Sequence, residues 1–361
     1  METNRRVMKA LVLEANAKVR YRSVPLPQMK DDECLVAIRK AGVCNSDISR
    51  AFDNGAKFYP LIMGHEMSGI VVDVGRKTKR IQRGDRVSVY PLLPCRSCAF
   101  CEKRDYFLCQ SYDYYGSRRH GGFAEFLAVK EWNLMKLPTD ISLEEAALLE
   151  PVAVGVHALK KIIPSPKGAI AILGAGLIGL TMAKQLTETI NRKQIYLIDR
   201  SDFKLEIAKA LKINTVNIRS RHGAMMLKTM KKAGIDCVIE ACGAVETYRY
   251  SLDLVRSHGD LLWVGNIAGD LMLEKNTISS ILRKELKIHG AWNSRFDGSR
   301  RDDWAAALNL IRRTQFLRKV ISQSALSEGE LVFHKMHLRR LGKIKKPLFF
   351  KKIFDISYEK I

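Results

Sequence analysis

The sequence has no long apolar run. Its most apolar early stretch, VMKALVL, is interrupted by Lys9, and nothing approaches the roughly 18 residues that cross a bilayer. A membrane-spanning protein is therefore not expected. A secretory leader is also missing. METNRR is basic, but no apolar core with a small-residue cleavage site follows it. The expected location is the cytoplasm. No segment of the chain repeats.

Negative charge is the scarcer sign. The chain carries 38 Asp and Glu against 61 Lys and Arg, a formal net charge of +23. The basic residues are spread along the chain and thicken after Arg312 and through LRRLGKIKKPLFFKK. They are not gathered with aromatics into one patch, so nucleic acid is not an expected partner. A solvated basic surface accounts for the excess, and attraction of a phosphorylated small molecule is a second reading.

With 361 residues the chain can build two domains with real cores. Residues 7–135 read as β-rich: MKALVL, CLVAIRKAGV, SGIVVDVG, RVSVYPLL and FAEFLAV are separated by Gly, Pro and charged turns. From about Glu144 the rhythm changes. LEEAALLEPVAVGVHALKKI has a helical pattern. Six apolar runs follow: AIAILGAG, QIYLIDR, NTVNI, DCVIEACGA, DLLWVGN and ELKIHGAW, with helical segments such as LIGLTMAKQLTETI, DFKLEIAKALK and AVETYRYSLDLVR between them. That alternation predicts an α/β fold with a doubly wound parallel sheet. The expected division is a parallel-sheet domain over 155–292, inserted into a β-rich domain made of 1–154 and 293–361.

AIAILGAGLIGL places Gly174, Gly176 and Gly179 at G-x-G-x-x-G spacing, with Leu177 and Ile178 between the last two. The motif follows a strand and opens a helix, the context in which it binds a dinucleotide pyrophosphate. Asp199 ends the next strand. A carboxylate there accepts from both adenosine ribose hydroxyls and repels a 2′-phosphate, which favours NAD. Arg200, directly after it, pulls the other way.

Cysteines are few but clustered. Cys95, Cys98, Cys101 and Cys109 lie at C-x2-C-x2-C-x7-C spacing. A reducing cytosol disfavours disulfides. Four thiolates in one loop can close a tetrahedron around zinc with no open position, which makes the ion structural. The run lacks the proline and spacing of ferredoxin-type iron–sulfur sites. Cys34, Cys237 and Cys242 sit in apolar contexts as small hydrophobes. A dispersed set, Cys44 in GVCNSD, His65-Glu66 in MGHEMSG and Glu150 in LLEPVAV, has the donor types of a catalytic zinc with an open position. Each also has an ordinary reading, as a buried thiol, a turn residue or a helix charge. Spacing alone leaves both open.

These stretches, GVCNSD, GHEMSG, GDRV, the four-cysteine run, GGFAEF, LEPVAVGVHA, GAGLIG and ILRKELKIHG, together resemble the zinc-dependent medium-chain dehydrogenases in their polyol branch, from residue 8 to about residue 325. The resemblance implies a GroES-like catalytic domain built from both parts of the chain, with a Rossmann domain between. It implies two zinc ions per subunit, one catalytic on Cys44, His65 and Glu150, and one structural on the four cysteines. Glu66 would exchange with Glu150 or hold a water beside the metal. Ser46 would pass a proton outward, and the strand ends with Cys242, Val264 and Asn266 would lie beside the nicotinamide of NAD. A homodimer or homotetramer is expected, with ELKIHGAW as a contact.

The implied substrate is a polyol phosphate of the galactitol 1-phosphate type, met by Arg118, Arg119 and Lys57; a free polyol such as sorbitol is the alternative. A cofactor-binding protein without catalysis is the rival class, and the intact Cys44, His65 and Glu150 argue against it. Two features depart from the family. Ser49 stands where many members carry a relay histidine. The tail after His337 is unusually basic, although FFKKIFDI can still supply a final strand.

Overall fold

The computed structural model describes residues 6–165, 167–299, 302–344 and 349–357. The chain divides into two units, Met1–Glu150 with Arg295–Ile361, and Pro151–Ser294. Among the described residues no helix is long and apolar enough to cross a membrane.

The first unit is built on the strand Glu33–Gly42. It pairs antiparallel along its length with Glu66–Val74, and its first half pairs with Phe126–Lys130. Its last three residues pair with Lys351–Asp355. FFKKIFDI thus does supply a strand, which also runs parallel to Ile321–Ala325. Leu11, Leu13, Ile38, Phe123, Phe126, Phe333 and Phe354 are fully buried and form the core of this unit.

The second unit contains six parallel strands: Ile170–Leu173, Ile195–Asp199, Asn214–Asn217, Ile235–Glu240, Val255–Trp263 and Lys287–Gly290. They correspond to the six apolar runs of the sequence. Their spatial order is third, second, first, fourth, fifth, sixth. That order reverses beside the first strand, and ligands bind at the carboxyl ends where such a reversal occurs. Two further helices, Arg221–Ala233 and Lys275–Arg283, complete the crossovers.

The helix expected over 143–162 is two helices, Leu143–Ala147 and Leu149–Leu159, with a break at Leu148. Pro151 explains the break. It has no N–H to give Ala147, and its ring would clash with that carbonyl in a continuous helix, but it is tolerated in a first turn. The restart puts Glu150 in the first turn of the second helix.

Phe354 anchors the Lys351–Asp355 strand, its ring 5.2 Å from that of Phe123 in an edge-to-face contact. Phe354→Ala is expected to destabilise the first unit by about 3–5 kcal/mol, read as a lower urea midpoint for that unit's unfolding transition.

Candidate functional site

The strand Glu33–Gly42 runs into Cys44, which opens the short helix Asn45–Ser49. The Cys44 backbone N–H donates to Asp47 Oδ2 at 3.0 Å. Asp47 is fully buried, and its Oδ1 lies 3.4 Å from His65 Nδ1 and 3.5 Å from Arg50 Nη1. Burial works against its charge, but His65 and Arg50 outweigh it and hold the carboxyl below its usual range. A carboxylate on one imidazole nitrogen fixes the ring and leaves the other nitrogen as a donor.

His65 follows Gly64, whose φ of +90° suits glycine, and a Cβ there would lie 2.6 Å from the Phe123 ring. Glu66 then begins the strand that pairs Gly42 with Glu66. A side chain at 42 would not fit, since its Cβ would lie 2.1 Å from Glu66 Oε2. The result is a cluster: donor atoms of Cys44, His65 and Glu66 all lie within 4.8 Å of one another.

Glu150 is outside that cluster in this geometry. It is buried and accepts from the Tyr114 hydroxyl at 3.3 Å, and Tyr114 in turn lies 5.9 Å, ring to ring, from His65. No Lys or Arg forms an ion pair with Glu150 among the described residues. Burial pushes its carboxyl up to about 7. Glu66, by contrast, has a partner: Lys351 Nζ lies 2.7 Å from Oε1 and 2.6 Å from Oε2. The lysine is buried and also donates to the Val43 carbonyl at 2.9 Å. Burial opposes its charge, but Glu66 outweighs this and raises its pKa.

Soft thiolate, imidazole and carboxylate donors gathered within 4.8 Å of one another, the thiol half-buried and the other two buried, fit a zinc ion. Cys95, Cys98, Cys101 and Cys109 fit a second, with their sulfurs within 4.8 Å of one another and no disulfide among them. The Cys95 N–H donates to Cys109 Sγ at 3.2 Å.

Ser46 is exposed on the short helix. Ser49 accepts a hydrogen bond from Arg340, which also pairs with Asp53 at 2.8 Å, so the position of the family's relay histidine is held by a guanidinium. The arginines proposed for a phosphate already have partners. Arg118 donates to the Tyr112 carbonyl at 2.6 Å and stacks over that ring at 3.8 Å, and Arg119 pairs with Asp113 at 3.1 Å. Lys57 is exposed and forms no ion pair among the described residues.

In the second unit, Gly174 has a φ of +109° and lets the first strand turn. A Cβ on Gly176 would enter open space, and one on Gly179 would lie 2.0 Å from the Gly174 carbonyl oxygen. The first leaves room for a pyrophosphate against the backbone, and the second sets the close approach of strand to the helix Leu177–Leu186 that carries Leu177 and Ile178. Asp199 Oδ2 accepts from the Ala175 N–H at 2.8 Å, and Oδ1 accepts from the Ser201 N–H at 2.9 Å. Lys204 Nζ lies 3.5 Å from Oδ2, and Arg200 is exposed. The Cys242 and Val264–Asn266 turns touch, since a Cβ on Gly243 would lie 2.4 Å from the Asn266 carbonyl oxygen. Beneath them Glu240, fully buried, accepts from the N–H groups of Cys242 and Gly243 and from the Thr247 hydroxyl.

Four residues that matter here were not singled out from sequence: Asp47, Tyr114, Glu240 and Lys351. Asp47 had a signal, because a carboxylate three residues after a ligand cysteine in GVCNSD can cap the turn and reach the next ligand. Glu240 was visible as an acid ending the apolar run CVI. Tyr114 and Lys351 had none. If the four cysteines hold one ion, Cys109→Ser is expected to lose one zinc per chain on dialysis, measured by metal analysis, with a lower melting temperature than the parent.

The family description "Alcohol dehydrogenase GroES-like domain" matches residues 30–139, and "Zinc-binding dehydrogenase" matches residues 176–313. Galactitol 1-phosphate 5-dehydrogenase of Escherichia coli K12 is 36% identical over 307 residues, covering 84% of this chain and 88% of that protein. Sorbitol dehydrogenase of Bacillus subtilis is 31% identical, covering 72% and 75%. The crystal structure of galactitol-1-phosphate dehydrogenase from Escherichia coli superposes with a TM-score of 0.85 at 31% identity, over 96% of this chain and all (100%) of that one. With a GroES-like domain, a Rossmann sheet and two gathered sets of zinc-type donors, this chain belongs to the zinc-dependent medium-chain dehydrogenases that act on alcohols and polyols.

Proposed function

We propose that this chain oxidises a secondary hydroxyl of a polyol phosphate, galactitol 1-phosphate to tagatose 6-phosphate, with NAD as hydride acceptor and two zinc ions per subunit. The catalytic reading is carried by one observation: the donor atoms of half-buried Cys44 and of buried His65 and Glu66 lie within 4.8 Å of one another. Glu150, a buried carboxylate that forms no ion pair among the described residues, would be the third ligand beside Cys44 and His65. Glu66 already has Lys351. The 36% identity to galactitol 1-phosphate 5-dehydrogenase supports the substrate. The 31% identity to sorbitol dehydrogenase supports a free polyol as the second reading.

Zinc, when bound, supplies a Lewis acid that lowers the pKa of a substrate hydroxyl. Asp47 orients His65 through Nδ1. Ser46, exposed two residues beyond Cys44, takes the hydroxyl proton and passes it to water. The open face of Gly176 admits the coenzyme pyrophosphate, and Asp199 selects NAD at the adenosine ribose. NAD, when bound, would supply the hydride acceptor: the carbon bearing the hydroxyl would lose a hydride (two electrons and one proton) to become a ketone, and the second proton would go to solvent. Lys57, which forms no ion pair among the described residues, meets the phosphate, and Arg119 joins it by giving up Asp113.

The chain works in the cytoplasm as a homodimer or homotetramer. The edge strand Lys287–Gly290 is the contact, with Ile288, Leu282 and Trp292 exposed around it.

A substrate screen that follows NADH absorbance tests the assignment. kcat/KM for galactitol 1-phosphate is expected to exceed that for galactitol by at least about tenfold, ~1.4 kcal/mol of transition-state binding. No preference for the ester would move the assignment to free polyols. Cys44→Ser is expected to abolish turnover and lose one zinc while the coenzyme still binds, measured by metal analysis and NADH fluorescence. Undiminished turnover in that variant would end the dehydrogenase mechanism.

A further inference from the structure

Lys351 and Glu66 meet across three adjacent strands. The strand Glu33–Gly42 lies between Lys351–Asp355 and Glu66–Val74. Gly42 pairs with Glu66 on one side and with Ile353 on the other. Because Gly42 has no side chain, the Glu66 carboxylate occupies the space a Cβ would fill, 2.1 Å from Oε2. There both its oxygens reach the Lys351 ammonium, at 2.7 and 2.6 Å. The Val43 carbonyl, one residue before Cys44, takes another of the lysine's hydrogens at 2.9 Å.

Stability alone does not account for this pair. Apolar residues of similar volume often do as well as a buried ion pair or better. The position of the carboxylate suggests a different reason. Glu66 shares its cluster with Cys44 and His65, while its charge is directed at a lysine. A carboxylate facing a buried metal ion with no other cation nearby would bind it firmly and close its open position. An ammonium on the same two oxygens competes for them.

Resting on the assignment of Cys44 and His65 as metal ligands, we propose that Lys351 is a positioning residue for the metal centre. It holds Glu66 beside Cys44 and His65 and keeps that carboxylate from becoming a permanent ligand, so the open position stays available to substrate. Lysine suits this task as a compact point charge on a flexible stem, and arginine can replace its charge.

The test is the rate of zinc release to a chelating dye from the zinc-loaded full chain. The relevant phase is the one that Cys44→Ser removes. Lys351→Met is expected to slow it by about tenfold, because the released carboxylate now holds the ion, and Lys351→Arg is expected to stay within about twofold of the parent. Lys351→Met combined with Glu66→Gln is expected to return the rate to the parental value or above. A lysine that merely supports the fold would give faster release in Lys351→Met, and that result overturns the proposal. A slowed phase that persists in the double variant also overturns it, because the lysine would then not act through Glu66. Where Lys351→Met does not fold, Lys351→Gln, which keeps most of the side chain and removes its charge, tests the same contact. It is expected to slow release in the same way, and an unchanged or faster rate overturns the proposal. If Cys44→Ser removes no phase, the metal assignment itself falls, whatever the lysine variants do.

Discussion

Charge inside a protein must be matched, and three of the first unit's buried carboxylates, those nearest Cys44 and His65, are matched in different ways. Asp47 is answered by His65 and Arg50, and Glu66 by Lys351. Glu150 has a tyrosine hydroxyl and, among the described residues, no ion pair. The unequal treatment is informative. Asp47 and Glu66 are paired by the protein itself, whereas burial pushes the Glu150 carboxyl up to about 7. The sheet makes this possible, because the antiparallel register of Glu33–Gly42 with Glu66–Val74 brings residues 42 and 66 together.

The second unit uses the same economy of backbone and carboxylate at its strand ends. Asp199 ties the glycine turn to the end of the second strand through Ala175 and Ser201. Glu240 does the equivalent under the Cys242–Gly243 turn. Each carboxylate gathers N–H groups that the end of a strand would otherwise leave unpaired. The surface offered to a coenzyme is thus backbone fixed from behind.

Much of this was legible before any coordinates. The glycine spacing at 174–179, the four clustered cysteines and the alternation of six apolar runs each follow from local rules, and local rules survive in a sequence. The Glu66–Lys351 contact does not, because it depends on strand register across a gap of 285 positions. Lys351 also stands among many lysines, and nothing about its neighbours marks it as buried. The helix over 143–162 was misread for a different reason. Its apolar rhythm is continuous, and the break comes from the geometry of one proline ring. The engagement of Arg118 by Tyr112 and of Arg119 by Asp113 was equally hidden, since a loop arginine reads the same whether it is free or bound.

The strand Lys351–Asp355 lies beside one that ends two residues before Cys44, although the whole nucleotide unit separates them in the chain. During translation, therefore, the thiol, the imidazole and both glutamates leave the ribosome long before the ammonium that completes their pocket. A nascent chain paused in the middle unit would carry these donors with no counter-charge and an open sheet flank. A cation that met these donors at that stage would find a different set of charges from the one in the finished sheet.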